Sequence, residues 1–179
     1  VGYASAARIG TMALDRLHST ADSHHRVMVC ELMGRNAGWL TLACGLASGS
    51  DVILIPEIPF DMDVLCRFVE ERRDGAAGFS IVACAEGARP IDGTQVIDRV
   101  DETSPDPIRL GGIGRQVANA IEQRTGIETR TTVLGHVQRG GEPASSDRVL
   151  AMTFATRAVA LAMEGGVNQM VVLRDGHVA

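Results

Sequence analysis

Aromatic side chains are scarce: one tryptophan, one tyrosine and four phenylalanines make up 3% of 179 residues, against 45% hydrophobic residues overall. The core must then be built from Val, Ile, Leu, Met and Ala, the usual filling of an α/β fold, and 179 residues suffice for one domain of ordinary size. A basic excess is absent too. The net charge of -5 argues against nucleic acid as the main partner, because a backbone-binding face needs a broad surplus of Lys and Arg. Any positive site must be local. No apolar run approaches the ~20 residues of a membrane-spanning helix, so no membrane partner is expected, and nothing resembles a signal peptide. Cys30, Cys44, Cys66 and Cys84 form no C-x-x-C pair and sit in the apolar settings VMVCE, LACGL, VLCRF and VACAE. They read as buried free thiols of a reducing cytoplasm, not as metal ligands or disulfides. An initiator methionine is also missing, so the chain is expected to be a fragment.

What is present is an alternation of short apolar runs with helical periods. Residues 6–20 predict a first helix with Ala6, Ile9, Ala13 and Leu17 as its apolar stripe. Strands are expected at 26–31 (RVMVCE), 51–56 (DVILIP), 79–86 (FSIVACAE), 131–133 and 170–173, the third of the five ending in the carboxylate of Glu86 and the fourth expected to be a buried parallel strand. Helices are expected at 39–47, at 63–73 with Val64, Leu65, Phe68 and Val69 inward, at 113–124 with Val117, Ala118 and Ile121 inward, and at 145–166. Residues 88–112 have no period and hold three prolines, which marks a long loop or a variable insertion. Strand–helix alternation predicts an α/β fold with a mainly parallel sheet and helices on both faces, a three-layer αβα arrangement.

The polar residues fall at one edge of that sheet. Met33-Gly34-Arg35, Glu86, and His136 with Arg139 each follow the carboxyl end of a different expected strand. Ligands collect at that edge in open α/β sheets. An imidazole, a guanidinium and glycine N–H groups suit a phosphate or another compact anion. Arg35 can hold a phosphate or charge developing in transfer, and Glu86 can accept from sugar hydroxyls. The same residues have plainer uses: Glu86 can cap a turn, Met33 can pack in the core, and His136 can be a satisfied core histidine.

VMVCELMGRNAG (27–38), DVILIPE (51–57), CAEG (84–87), ETRTTVLGHVQRGG (128–141) and the DRVL that follows at 147–150 together resemble the 6-phosphofructokinases, over nearly the whole chain. The resemblance implies a phosphofructokinase-like fold and transfer of a phosphoryl group to the 1-hydroxyl of fructose 6-phosphate in glycolysis, with ATP or pyrophosphate as donor. It implies that Met33, Gly34, Arg35, Glu86, His136, Gln138 and Arg139 bind the sugar phosphate, and that Arg35 also acts in catalysis. Arg26 and Arg130 open their strands at the opposite edge, and the resemblance assigns them to a neighbouring subunit's site in a homo-oligomer, a dimer or tetramer. The family's donor loop and the aspartates that supply its base and Mg²⁺ ligand are expected upstream of Val1, so the chain alone should not turn over. Residues 1–137 then form the sugar-phosphate-binding domain and 138–179 a returning segment of the donor domain. Where allosteric bacterial members carry effector-binding basic residues, this chain has His18, Gly75 and Ala77, so that control is not expected. Two alternatives stay open: a non-catalytic phosphosugar-binding or regulatory homologue, and a different α/β sugar-phosphate enzyme that shares the fold.

Overall fold

The computed structural model describes residues 1–75, 78–100 and 108–179. In chain order the elements are α1 (Tyr3–His24), β1 (Val27–Leu32), α2 (Trp39–Ser48), β2 (Val52–Leu54), α3 (Met62–Asp74), β3 (Ser80–Ala85), β4 (Ile97–Val100), β5 (Ile108–Leu110), α4 (Ile113–Thr125), β6 (Thr129–Val133), α5 (Ser145–Met163), β7 (Leu173–Arg174) and β8 (His177–Val178). A 3-10 turn, Gly135–Arg139, follows β6.

β2, β3, β1 and β6 form a wholly parallel sheet in that spatial order. The two central strands, VMVCEL and SIVACA, are buried at every position. Near-continuous apolar runs of this kind suit strands covered on both faces. On one face Val27, Val29, Val82 and Cys84 pack with Leu65 and Val69 of α3 and Val117 and Ile121 of α4. On the other, Met28, Cys30, Ile81 and Ala83 pack with Leu14 and Ala21 of α1 and Cys44 of α2. The expected three layers are therefore present. All four cysteines are free and buried, and burial pushes the Cys30 thiol up to about 12.

Several expectations are corrected. β6 is parallel as expected but is an edge strand, not a buried one: Val133 is 54% exposed. The buried line of α1 runs through Ser5, Gly10, Leu14 and Ala21, rotated from the expected stripe. Gly10 governs that rotation, because a Cβ there would lie 2.5 Å from Cys44 Sγ, so α1 and α2 cross at a glycine. In α3, Cys66 is buried and Val64 is exposed. The expected loop at 88–112 contains the antiparallel pair β4–β5, while residues 101–107 of that stretch, and Ala77, lie outside the described residues. The expected last strand at 170–173 is replaced by a β7–β8 hairpin around Asp175 and Gly176, both at positive φ. An Asp-Gly turn accounts for it, since both central residues of such a turn need that conformation.

α5 has no buried residue. It is tied back at its first turn, where Asp147 accepts the Ser5 N–H at 2.9 Å and the Ser5 hydroxyl, capping α1 from 142 positions away. Ser5 Oγ in turn accepts the Ala144 N–H at 2.7 Å.

Candidate active site

The connections that follow the two central strands leave the sheet on opposite faces. After β1 the chain passes into α2 on one side, and after β3 it reaches α4 on the other. Their loops diverge at the carboxyl ends of adjacent strands and leave a crevice there.

Two cavities open at this edge. One, of about 470 Å³, is lined by Glu31, Met33, Glu86, Gly112, Arg115 and His136, among others. The second, of about 460 Å³, is lined by Tyr3, Met33, Gly34, Arg35, Glu86 and Arg139, among others. Met33 and Glu86 line both, so the cavities are two lobes of one cleft.

The walls are cross-linked. Gly34 N–H donates to Glu86 Oε1 at 3.3 Å, and Gly87 N–H donates to Gly34 O at 3.0 Å. Gln95 Nε2 donates to both Arg35 O and Gly87 O at 3.1 Å. Gly87 must be glycine, because a Cβ would fall 1.8 Å from Arg35 O. Arg139 Nε lies 3.3 Å from Met33 Sδ, joining the turn after β6 to the turn after β1. Burial raises the Glu86 pKa, and the nearby Glu31 carboxylate raises it further; the Gly34 N–H, Arg139 and Arg35 act the other way.

Met33, Gly34, Arg35, Glu86, His136 and Arg139 thus meet in the cleft. Gln138 departs from the expectation of a ligand contact. It is wholly buried and lines neither lobe, because the 3-10 turn points its side chain back into the core. Arg26 and Arg130 stand at the opposite edge and share Glu128 at 3.1 Å and 2.6 Å. The six residues of β1 separate them from the cleft by about 20 Å.

Glu31, Arg115 and the glycines before α4 escaped the sequence reading. Glu31 is 4% exposed, and its carboxylate accepts Gly112 N–H at 3.2 Å and Gly114 N–H at 2.8 Å, at the start of α4. An acid ending an apolar strand was the signal that singled out Glu86, and VMVCE carries it equally. Among the described residues no three His, Cys, Asp or Glu side chains form a metal site, and no helix is long and apolar enough to cross a membrane.

The family model for phosphofructokinase matches residues 1–162. The chain is 46% identical to the ATP-dependent 6-phosphofructokinase 2 of Clostridium perfringens, over 99% of this chain and 49% of that protein. It is 50% identical to the pyrophosphate–fructose 6-phosphate 1-phosphotransferase of Streptomyces coelicolor, over 97% of this chain and 50% of that protein. The phosphofructokinase of Saccharomyces cerevisiae superposes with a TM-score of 0.79 at 33% identity, covering 99% of this chain and 22% of that one. The chain spans about half the length of the curated relatives it matches. On the match over residues 1–162, this chain belongs to the phosphofructokinase family.

Proposed function

We propose that this chain is the acceptor-binding half of a 6-phosphofructokinase, which moves a phosphoryl group from ATP or pyrophosphate to the 1-hydroxyl of fructose 6-phosphate. The observation that carries this reading is the meeting of Arg35, Glu86, His136 and Arg139, from the ends of three strands, in one cleft. His136 and Arg139 take the 6-phosphate, and Glu86 accepts from sugar hydroxyls. Met33 and Gly34 form the wall against the sugar phosphate. Arg35, which lines the same lobe as Glu86, is also assigned to the phosphoryl group in transit. Such transfer depends on positioning and electrostatic stabilisation more than on covalent chemistry by the protein.

Residues 1–137 are assigned to the acceptor domain and 138–179 to a segment returning to the donor side. The unburied α5, with Val149, Met152, Val159 and Met163 exposed, supports that assignment. Mg²⁺ would supply charge neutralisation on the transferring phosphate. A homo-oligomer in the cytoplasm completes the reading, with Arg26 and Arg130 serving a neighbouring subunit's cleft. An exposed pair such as Arg130–Glu128 is worth about 0–1 kcal/mol, and a charged hydrogen bond to phosphate about 1.5–3 kcal/mol, so the exchange is favourable.

The test is a donor assay on the full-length protein. Formation of fructose 1,6-bisphosphate with either donor supports the reading. No transfer with ATP or pyrophosphate, alongside calorimetric binding of fructose 6-phosphate, would instead identify a phosphosugar-binding homologue.

A further inference from the structure

We propose that Gln138 is a positioning residue: its buried carboxamide locks the Met33–Arg35 turn after β1 to the His136–Arg139 turn after β6, setting the spacing between the two anion-binding arms of the cleft. The inference rests on the acceptor-site reading above and goes beyond it, because Gln138 then touches no substrate.

Gln138 has no exposed surface, although it lies two residues after His136 and directly before Arg139. Its Oε1 accepts the Met33 N–H at 2.9 Å. Its Nε2 lies 3.5 Å from Ala6 O in α1 and 4.0 Å from Cys44 Sγ in α2. Both ends of one amide are therefore engaged, and three other segments, the turn after β1, α1 and α2, meet on it. The space it fills is kept open by Gly10, where a Cβ would stand 2.8 Å from Gln138 Nε2.

The position of this contact gives it its consequence. Ladder pairing between β1 and β6 ends at Glu31 and Val133, and the last backbone link runs from Leu134 N–H to Glu31 O at 3.0 Å. Beyond that link the two chains separate around the cleft, and the Gln138 side chain reaches across to the first residue of the Met-Gly-Arg turn. Rotation of the Met33 peptide would swing Gly34 and Arg35 relative to Arg139. An amide held at both ends resists that rotation, because releasing it leaves a buried donor and a buried acceptor unsatisfied. The contact between Arg139 Nε and Met33 Sδ then depends on the same register.

The experiment uses the full-length protein and two variants. Gln138→Met keeps the approximate volume and removes the hydrogen bonds; Gln138→Glu keeps an acceptor for Met33 N–H. Hydrogen exchange of the Met33 amide is measured without ligand, and KM is measured for each substrate. Gln138→Met should speed Met33 exchange and raise KM for the sugar phosphate, each by about ten- to a hundredfold, with KM for the phosphoryl donor unchanged. Gln138→Glu should fall nearer the wild type in both readouts. A lowered melting temperature with unchanged sugar-phosphate KM would reduce Gln138 to a packing residue and overturn the proposal. Raised KM with Met33 exchanging at the wild-type rate would make it a direct ligand contact and overturn it equally. Absence of both phosphoryl transfer and fructose 6-phosphate binding in the wild type would sink the acceptor-site reading instead, while unchanged Met33 exchange in Gln138→Met would still refute the lock by itself.

Discussion

Arg35 and Glu86 face the same lobe of the cleft with opposite charge, and the proposed function gives them different tasks. An arginine that meets the phosphoryl group in transit stabilises the transition state more than the ground state. Arg35→Ala in the full-length protein should therefore lower kcat by about a hundredfold or more; a rise in KM alone would make Arg35 a ground-state ligand. Glu86 carries a folded-state pKa above its ordinary value, chiefly through burial. A carboxyl shifted upward contributes stability below its ordinary pKa, and that contribution is lost as pH rises through the folded value. Glu86→Gln resembles the protonated form at every pH. Its urea midpoint should match the wild type near pH 4, where most ordinary carboxyls begin to protonate, and exceed it near pH 7. A less stable variant at pH 7 would show that the ionised form is the one the fold prefers.

Two junctions between elements hold the cleft and its flank. At the first, the end of β3 meets the turn after β1 so closely that a Cβ on Gly87 would stand 1.8 Å from Arg35 O, a backbone atom that cannot swing aside. Gly87→Ala should cost about 1–3 kcal/mol by overpacking. It should also raise KM for the sugar phosphate, since the turn it displaces carries Arg35; chemical denaturation together with an unchanged KM would separate the two effects. At the second junction Asp147 caps α1 and anchors α5, and the Ser5 hydroxyl and N–H hold its carboxyl below the usual aspartate range. A depressed carboxyl contributes above its ordinary pKa and loses that contribution as pH falls through the folded one. Asp147→Ala at neutral pH should then exchange faster at the first turns of α1 and α5, with little change in β1 or β3. Acidification below about pH 4 should bring the wild type toward the same behaviour.

For the whole molecule, the geometry at the far edge of the sheet governs the outcome. Arg26 and Arg130 cannot reach their own cleft along a strand of six residues, so a role in catalysis requires a second copy. Ligand binding and assembly would then be linked. Full-length Arg130→Ala and full-length His136→Ala, each nearly inactive, should recover part of the activity when co-assembled, because some interfaces pair an intact Arg130 with an intact His136. Mixed oligomers without recovery would remove both arginines from the active site.

Local pattern alone determined the strand–helix alternation, the apolar runs that form β1 and β3, and the convergence of Arg35, Glu86, His136 and Arg139 on one edge. Apolar period and turn residues are properties of neighbouring positions, and right-handed parallel crossovers then bring the strand ends together. The β7–β8 hairpin was legible too, in the Asp175-Gly176 dipeptide, but an apolar run just before it pointed to a longer strand. Packing between distant segments decided the rest. The α1 face turns on Gly10 meeting Cys44, and β6 is an edge because strand order is a property of the sheet. Glu31 is buried against Gly112 and Gly114 because α4 begins over the end of β1. Gln138, set between His136 and Arg139 in sequence, points away from both into the core because a 3-10 turn separates neighbouring side chains by about a third of a turn. The sequence alone thus named Met33, Gly34, Arg35, Glu86, His136 and Arg139, and only the tertiary structure added Glu31 and Arg115 to the cleft and turned Gln138 away from it.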